Sequence, residues 1–351
     1  MIFLRDVKIF LFGNKMNSID KRLLDVLERY IASGIELQVD YEKFYLYSLI
    51  THSTAIEGST ITEVENQLLF DEGIVAKGRS INEQMMNVDL KNAYFYGFEW
   101  AQKMQPYTVD FLRQLSAMVM RRTGTKYSVI GGEFDSAQGD LRLCNVSAGV
   151  GGSSYLAFAK VPKAVADFCE WLNAQIQTIN RNDVAACYRL SFEAHFRLVT
   201  IHPWVDGNGR TTRLLMNIVQ RQLGLIPSIV SKENKGAYIQ ALIDSREAEN
   251  VGIIEDVMML QHIENLESRI LQYQKSLDDT VNDTVNDTVN QKQQQLLNLI
   301  SEQPRATYDE YAVQLHFSRA TIARNIKSLV AKGLIKRIGS DKSGFWEIKQ
   351  K

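Results

Sequence analysis

The stretch His202-Pro203-Trp204-Val205-Asp206-Gly207-Asn208-Gly209-Arg210-Thr211-Thr212-Arg213 constrains this chain more than any other. It gathers a base, a carboxylate, two glycines, an amide and two guanidiniums between two apolar runs. Leu190, Phe192, Phe196, Leu198, Val199 and Ile201 precede it; Leu214, Leu215, Met216, Ile218 and Val219 follow. The pattern predicts a helix, a tight loop carrying the chemistry, and a second helix. Gly207 and Gly209 lack Cβ atoms, so the backbone there can turn sharply and approach a ligand.

Amides opening the second helix would point at an anion, aided by the helix dipole. Arg210, Arg213 and Asn217 recur at i, i+3 and i+7, one helical face. Two guanidiniums beside an amide-rich turn suit a polyphosphate. Asp206 is a hard oxygen ligand of the kind that holds Mg2+ together with substrate phosphates. His202 carries a side chain able to act as a general base. Together they describe transfer of a phosphorus-centred group to a nucleophile that His202 deprotonates. A bare Gly-x-Gly turn would be read as an ordinary helix-loop-helix, but here about eight positions carry meaning at once.

The stretch resembles the signature of the Fic family, His-Pro-Phe-x-(Asp/Glu)-Gly-Asn-Gly-Arg-x-x-Arg, with Trp204 in place of the usual Phe. The resemblance implies a mainly α fold, a Fic-type helical bundle with a small β-hairpin flap, that transfers AMP from ATP to a Ser, Thr or Tyr hydroxyl of a target protein. On that template His202 is the base and Asp206 holds Mg2+. Gly207, Asn208, Gly209 and Arg210 bind the α- and β-phosphates, Arg213 holds the γ-phosphate, and Tyr238 lies near the adenine. Members often dimerise, and the sequence leaves a homodimer open.

A helical stretch bearing Phe44, Leu46, Tyr47 and Ile50 runs into Ser53-Thr54-Ala55-Ile56-Glu57-Gly58. Gly58 suits a helix end, and Ser53 and Glu57 lie one turn apart on one face. On its own this says only that a helix ends in Glu-Gly. It also resembles the family's inhibitory motif, (Ser/Thr)-x-x-x-Glu-(Gly/Asn), with Ser53, Glu57 and Gly58 matching. The resemblance implies a helix over about 41–58 whose Glu57 forms a buried pair with Arg213 and blocks the γ-phosphate. Some members instead use this Glu to remove AMP, so de-AMPylation is an alternative.

The chain of 351 residues admits two or three domains, and its formal charge of -1 points to no global attraction for nucleic acid or membrane. Cys144, Cys169 and Cys187 show no metal spacing and read as reduced, which fits a cytoplasmic location. No apolar run approaches a membrane span. The start, MIFLRDVKIFLFGNK, is broken by Arg5, Asp6 and Lys8, which argues against a signal peptide, and Met16 is an alternative start. The expected layout is a helical region over 1–110, a catalytic core over 111–275, a linker over 276–291 and a fourth part over 292–351.

Thr62 with Glu65 suggests a capping box, and residues 63–126 read as helical. The glycines and alternation of 127–161 suggest a hairpin; by resemblance the flap lies near Val146–Leu156, where it would add a strand to the target. Val161-Pro162 opens a helix, and 183–201 is apolar nearly all round, with His195 read as a buried, hydrogen-bonded histidine. A further helix ends near Gln274. The tetrad Asp-Thr-Val-Asn then occurs three times, Asp279 to Asn290, and reads as a linker.

Residues 291–351 hold eleven Lys and Arg against five Asp and Glu. Three helices, capped by Thr307 and Ser318 at the second and third, and a hairpin resemble a bacterial winged helix-turn-helix. Arg319, Thr321, Arg324 and Asn325 would face outward on the third helix, with Lys336, Arg337 and Lys342 on the wing, types that reach bases and phosphates. DNA is the favoured partner; a protein-docking winged helix is the alternative. A third reading of the whole is a DNA-binding regulator whose core senses nucleotide.

Overall fold

The computed structural model describes residues 17–148, 154–285, 291–315, 317, 319–339 and 344–349. The chain falls into two compact units, Met1–Ile270 and Leu271–Lys351. In the first run α1 (Ser18–Ser33), α2 (Tyr41–Ile56), α3 (Glu63–Asp71), α4 (Ile81–Gln102), α5 (Val109–Val119), β1 (Lys126–Val129), β2 (Gly132–Asp135), α6 (Val161–Thr178), α7 (Val184–Ile201), α8 (Asn208–Gln222), α9 (Lys235–Glu247) and the N-terminal part of α10 (Gly252–Val285), whose residues from Leu271 belong to the second.

The core is built where α4 and α7 close on α8. Helix α8 is buried on nearly every face, from Leu214 and Leu215 to Ile218 and Val219. Gly97 lets α4 come this close, since a Cβ there would run into the Ile218 side chain. A helix buried all round cannot drift, so its N-terminus is fixed in space.

Helix α2 is also deeply set, and polar contacts lock its C-terminal half. Thr54 Oγ1 donates to Asn87 Oδ1 of α4 at 2.9 Å. Asn66 Nδ2 of α3 donates to that same oxygen at 2.9 Å and to Thr51 Oγ1 at 2.7 Å. Buried amides and hydroxyls satisfied this way specify one docking of the helix. Phe44, expected inward, is 43% exposed, and Tyr41, Tyr45 and Leu49 take the core instead. The Thr62–Glu65 capping box is present. The helical run expected over 63–126 breaks after α3, where Gly73 and Gly78 take φ of 71° and 80°, and restarts on a Ser80–Glu83 capping box.

Strands β1 and β2 pair antiparallel, Lys126 to Asp135 through Val129 to Gly132. Over the expected flap, Ser147 and Ser154 form an antiparallel bridge and Tyr155 N–H donates to Val146 O at 3.1 Å; residues 149–153 lie outside the described residues. The helix expected to end near Gln274 continues as α10 to Val285. The tetrads contain no Gly or Pro, so nothing stops a helix already nucleated. Residues 286–290 of the expected linker lie outside the described residues.

The second unit continues with α11 (Gln291–Glu302), α12 (Tyr308–Leu315), α13 (Arg319–Ala331), β3 (Ile335–Ile338) and β4 (Phe345–Ile348). Its core is Leu296, Ile300, Tyr311, Ile322, Ile326, Leu329, Ile335 and Trp346. Strands β3 and β4 pair antiparallel, Ile335 opposite Ile348. This is the winged-helix arrangement of three helices and a hairpin. Thr307 and Glu310 form the expected cap of α12; Ser318 lies outside the described residues.

Candidate functional site

Helix α7 ends at His202, whose backbone is left-handed, φ 53°, with its N–H on Leu198 O at 3.1 Å. The following loop is pinned by Trp204, fully buried, whose indole N–H donates to Gly139 O at 3.2 Å. Asn208 closes the loop: it accepts from Trp204 N–H at 3.1 Å and donates to Trp204 O at 2.8 Å. Gly207, the N-cap of α8, has φ 78° and sits where a Cβ would lie 2.6 Å from Met120 Sδ. Gly209 is glycine for another reason: its Cβ would run into the Glu57 carboxylate. The first amides of α8 have no acceptor within the helix, which makes this turn an anion cradle.

Two arginines of α8 stand at that turn. Arg210 is buried, and its Nε and Nη1 have no hydrogen-bond partner among the described residues. Its third donor, Nη2, lies 3.1 Å from Met120 Sδ. Burial of this guanidinium lowers its pKa, opposed by Glu57 and Asp206. Buried unpaired donors are costly, and an anion would satisfy them.

Arg213 is tied down completely. Its Nε donates to Ser53 Oγ at 3.0 Å and its Nη2 to Ser53 O at 2.9 Å. Nη2 also donates to Glu57 Oε1 at 2.6 Å. The structure thus brings together Ser53, Glu57 and Arg213, from elements 160 residues apart. The pair differs from the buried one expected. The Arg213 side chain is 4% exposed, but that of Glu57 is 35% exposed, because Glu57 caps α2 where the chain turns outward through Gly58, φ 102°. Burial pushes the Glu57 carboxyl up, yet the Arg213 charge and hydrogen bond, with Arg210 and Lys235 beyond, hold it below its ordinary range.

Tyr238 does not face open space as an adenine contact would. It is 1% exposed, its hydroxyl lies 2.8 Å from His195 Nε2, and it adds to the interactions that raise the Arg213 pKa. Its place on α9 after Asn234 turns this ring inward onto α7. His195 is the buried, hydrogen-bonded histidine expected.

Around His202 the structure adds residues that the sequence reading missed. Arg142, 1% exposed, donates from Nε to His202 O at 2.8 Å and from Nη1 to Cys144 O at 2.8 Å. Its Nη2 donates to Leu156 O, and its backbone N–H to Pro203 O at 3.0 Å. One guanidinium therefore joins the flap to the loop. The Leu141-Arg142-Leu143 alternation was visible, but a strand reading sends Arg142 outward, where it is unremarkable. Arg142→Ala removes the donors of three partly buried carbonyls and is expected to lower the melting temperature of the first unit by about 5–15 °C. Calorimetry would show it, and a drop below about 2 °C would deny the strut any structural weight. Tyr155 stacks on His202, ring centroids 3.9 Å apart and 18° from parallel. Burial pushes the His202 imidazole down to about 4, with a backbone contact at Val199 opposing and Arg142 and Arg246 reinforcing. At neutral pH the ring is uncharged, the form a base requires.

Asp206 is exposed on the loop, its Oδ1 accepting the Gly207 N–H at 2.6 Å. No cluster of three metal-ligating side chains occurs among the described residues. In the second unit Arg319, Arg324 and Lys336 are exposed. Arg319 pairs with Asp309 at 3.1 Å, Asn325 donates to Thr321 O at 2.9 Å, and Arg337 lies 5.1 Å over Trp346. Lys342 lies outside the described residues. Among the described residues no helix is long and apolar enough to cross a membrane.

Comparison with known proteins agrees with this geometry. Residues 106–220 match the sequence pattern of the Fic/DOC family, and residues 289–336 match that of winged helix-turn-helix DNA-binding domains. The protein adenylyltransferase Fic of Drosophila erecta is 30% identical over 240 residues, covering 68% of this chain and 44% of that one. The protein adenylyltransferase fic-1 of Caenorhabditis briggsae is 27% identical over 208 residues, covering 57% and 36%. The chain thus spans less than half the length of these relatives. In fold it is similar to a Fic family protein from Desulfovibrio desulfuricans, TM-score 0.57 at 17% identity over 97% of this chain and 99% of that one. A Fic-domain signaling protein from Bacteroides thetaiotaomicron is also similar, TM-score 0.55 at 20% identity over 72% and 93%.

Proposed function

The chain carries a Fic/DOC domain and a winged helix-turn-helix domain, and from that premise we propose that it is a protein adenylyltransferase restrained by its own Glu57. The observation that carries the reading is the junction of α2 with α8. An anion cradle with unpaired Arg210 donors stands beside an arginine already occupied by a carboxylate of the same chain.

In this reading the α8 turn, Gly207 to Arg210, receives the α- and β-phosphates of ATP, and Arg213 receives the γ-phosphate once Glu57 withdraws. Asp206 offers one exposed carboxylate at the mouth of the turn, the donor set of a Mg2+ held jointly by protein and phosphates. Mg2+ there would neutralise phosphate charge. His202 takes the proton of a target Ser, Thr or Tyr hydroxyl as that oxygen bonds to the α-phosphorus. The bond between the α-phosphorus and the oxygen bridging to the β-phosphorus breaks, and pyrophosphate leaves. Tyr155, near the end of the expected flap, lies against His202, and a strand added there would present the hydroxyl. A cytoplasmic location follows from the reduced cysteines of this reading.

Labelling separates this from other phosphoryl chemistry. With Mg2+ and the Glu57→Gly variant, protein should acquire label from [α-32P]ATP and none from [γ-32P]ATP. Label from the γ-position alone would refute AMP transfer.

We also assign the second unit to DNA, on the exposed Arg319, Arg324 and Lys336 along α13 and β3. Arg324→Ala and Lys336→Ala should each weaken binding of a random-sequence duplex and reduce the slope of log K against log salt by about 1. Anisotropy titrations across salt check this, and a slope unchanged in both would remove these side chains from any phosphate contact.

A further inference from the structure

We propose that Tyr155 is a positioning residue for His202, holding the imidazole between itself and the end of α7 in the orientation that receives the target hydroxyl's proton. The inference rests on the reading of His202 as the base.

Two contacts meet on the Tyr155 ring: the His202 ring stacked at 3.9 Å and the Arg246 guanidinium 5.3 Å from its centroid. The ring separation is shorter than the usual 4.5–7 Å of aromatic pairs, and the guanidinium is within cation–π range. Neither Arg246 nor Tyr155 is loose. Arg246 Nε donates to Leu242 O at 3.3 Å, fixing it to its own helix α9. Tyr155 N–H is held on Val146 O. The next residue, Leu156, accepts from the same Arg142 guanidinium that donates to His202 O. The backbones beneath the two rings are therefore joined through one buried side chain, and the stack follows from that frame.

The charged groups facing His202 are Arg142 from the β2–α6 connection, Arg246 from α9 and Asp206 from its own loop. None of them offers a wall to the imidazole plane; Tyr155 does. A general base works only if its ring is held in line with the proton it takes, and small misplacements cost large factors in rate. The contact is made by the ring face, so the phenol hydroxyl is dispensable.

The test uses the full chain in the Glu57→Gly background, adding Tyr155→Phe, Tyr155→Ala or Arg246→Met. Two readouts are followed: AMP transfer from ATP, split into kcat and KM, and the NMR position of the His202 ring protons, which a stacked ring displaces upfield. Tyr155→Ala should lose the displacement and about 10- to 100-fold in kcat, with KM for ATP kept. Tyr155→Phe should keep both, and Arg246→Met should lose part of both. The inference is overturned if Tyr155→Phe is as damaging as Tyr155→Ala, or if Tyr155→Ala leaves the ring protons in place. It is equally overturned if Tyr155→Ala moves only KM. Should the background show no AMP transfer at all, the enzymatic reading fails, and the proton displacement still decides whether Tyr155 holds the ring.

Discussion

Glu57→Gly is expected to raise AMP incorporation about 5- to 150-fold above the wild type, measured as gel-bound label from [α-32P]ATP. The estimate comes from one charge-assisted hydrogen bond of about 1–3 kcal/mol, at about 1.4 kcal/mol per tenfold. A fully buried ion pair would give more, but the Glu57 side chain is 35% exposed and water already screens it. The substitution spares the arginine. Arg213 keeps both contacts to Ser53, so it stays in position while the Nη2 N–H that had gone to Glu57 is freed for a γ-phosphate. Glu57→Gln separates charge from shape: an amide still reaches Arg213 but without the charge, and its rate should fall between the two. The sign with pH also follows. The Glu57 carboxyl lies below its ordinary range, so the contact is complete at neutral pH and is lost only as pH falls through that lowered value. Mild acid alone should therefore not release the brake. Equal labelling of all three proteins, with ATP bound in each, would remove Glu57 from regulation. Release of AMP from a modified protein, lost in Glu57→Gly, would instead favour the removal reaction.

What the sequence disclosed and what it hid divide along a physical line. Local rules were legible because they depend on neighbours in the chain. The Thr62–Glu65 capping box, the Thr307 cap and the helix carrying His202 to its C-terminal end are of this kind. The pairing of Glu57 with Arg213 was reached through a resemblance, since no periodicity links residues 156 apart. Its half-exposed character was not legible, because that depends on how the chain leaves α2 at Gly58. Arg142 was missed for a similar reason. A buried arginine bonded to carbonyls of three separate segments has no sequence signature and looks like any surface cation. Tyr238 was ambiguous in the sequence: an amphipathic ring reads equally well as a ligand contact or as a core residue with a satisfied hydroxyl, and its contact with His195 was not legible. The tetrads misled by composition. Polar, repetitive residues suggested a linker, but as far as Val285 they extend the preceding helix, with no Gly or Pro to break it.

His202→Ala, made in the Glu57→Gly background, is expected to cost about 10²–10⁴ in kcat while leaving ATP affinity in place. Of the charged groups facing His202, Arg142 and Arg246 are cations with no lone pair to accept a proton, and Asp206 is in this reading committed to the Gly207 N–H and to Mg2+. Its own ionisation supplies a second, more demanding check. Burial pushes the imidazole down to about 4, and two arginines reinforce the shift. The neutral ring is the active form, so kcat/KM, which reports the free enzyme, should stay flat from neutral pH and fall only as pH approaches about 4. Binding ATP brings several negative charges beside the same ring, and these favour the imidazolium. The acid limb of kcat, which reports the complex, should therefore lie at higher pH than that of kcat/KM. A base of unusually low affinity for protons in the empty site would thus gain proton affinity when the nucleotide arrives, at the step that requires it. Acid limbs that coincide would show that the polyphosphate does not lie beside His202. A His202→Ala variant retaining most of its kcat would show that the proton leaves by another route.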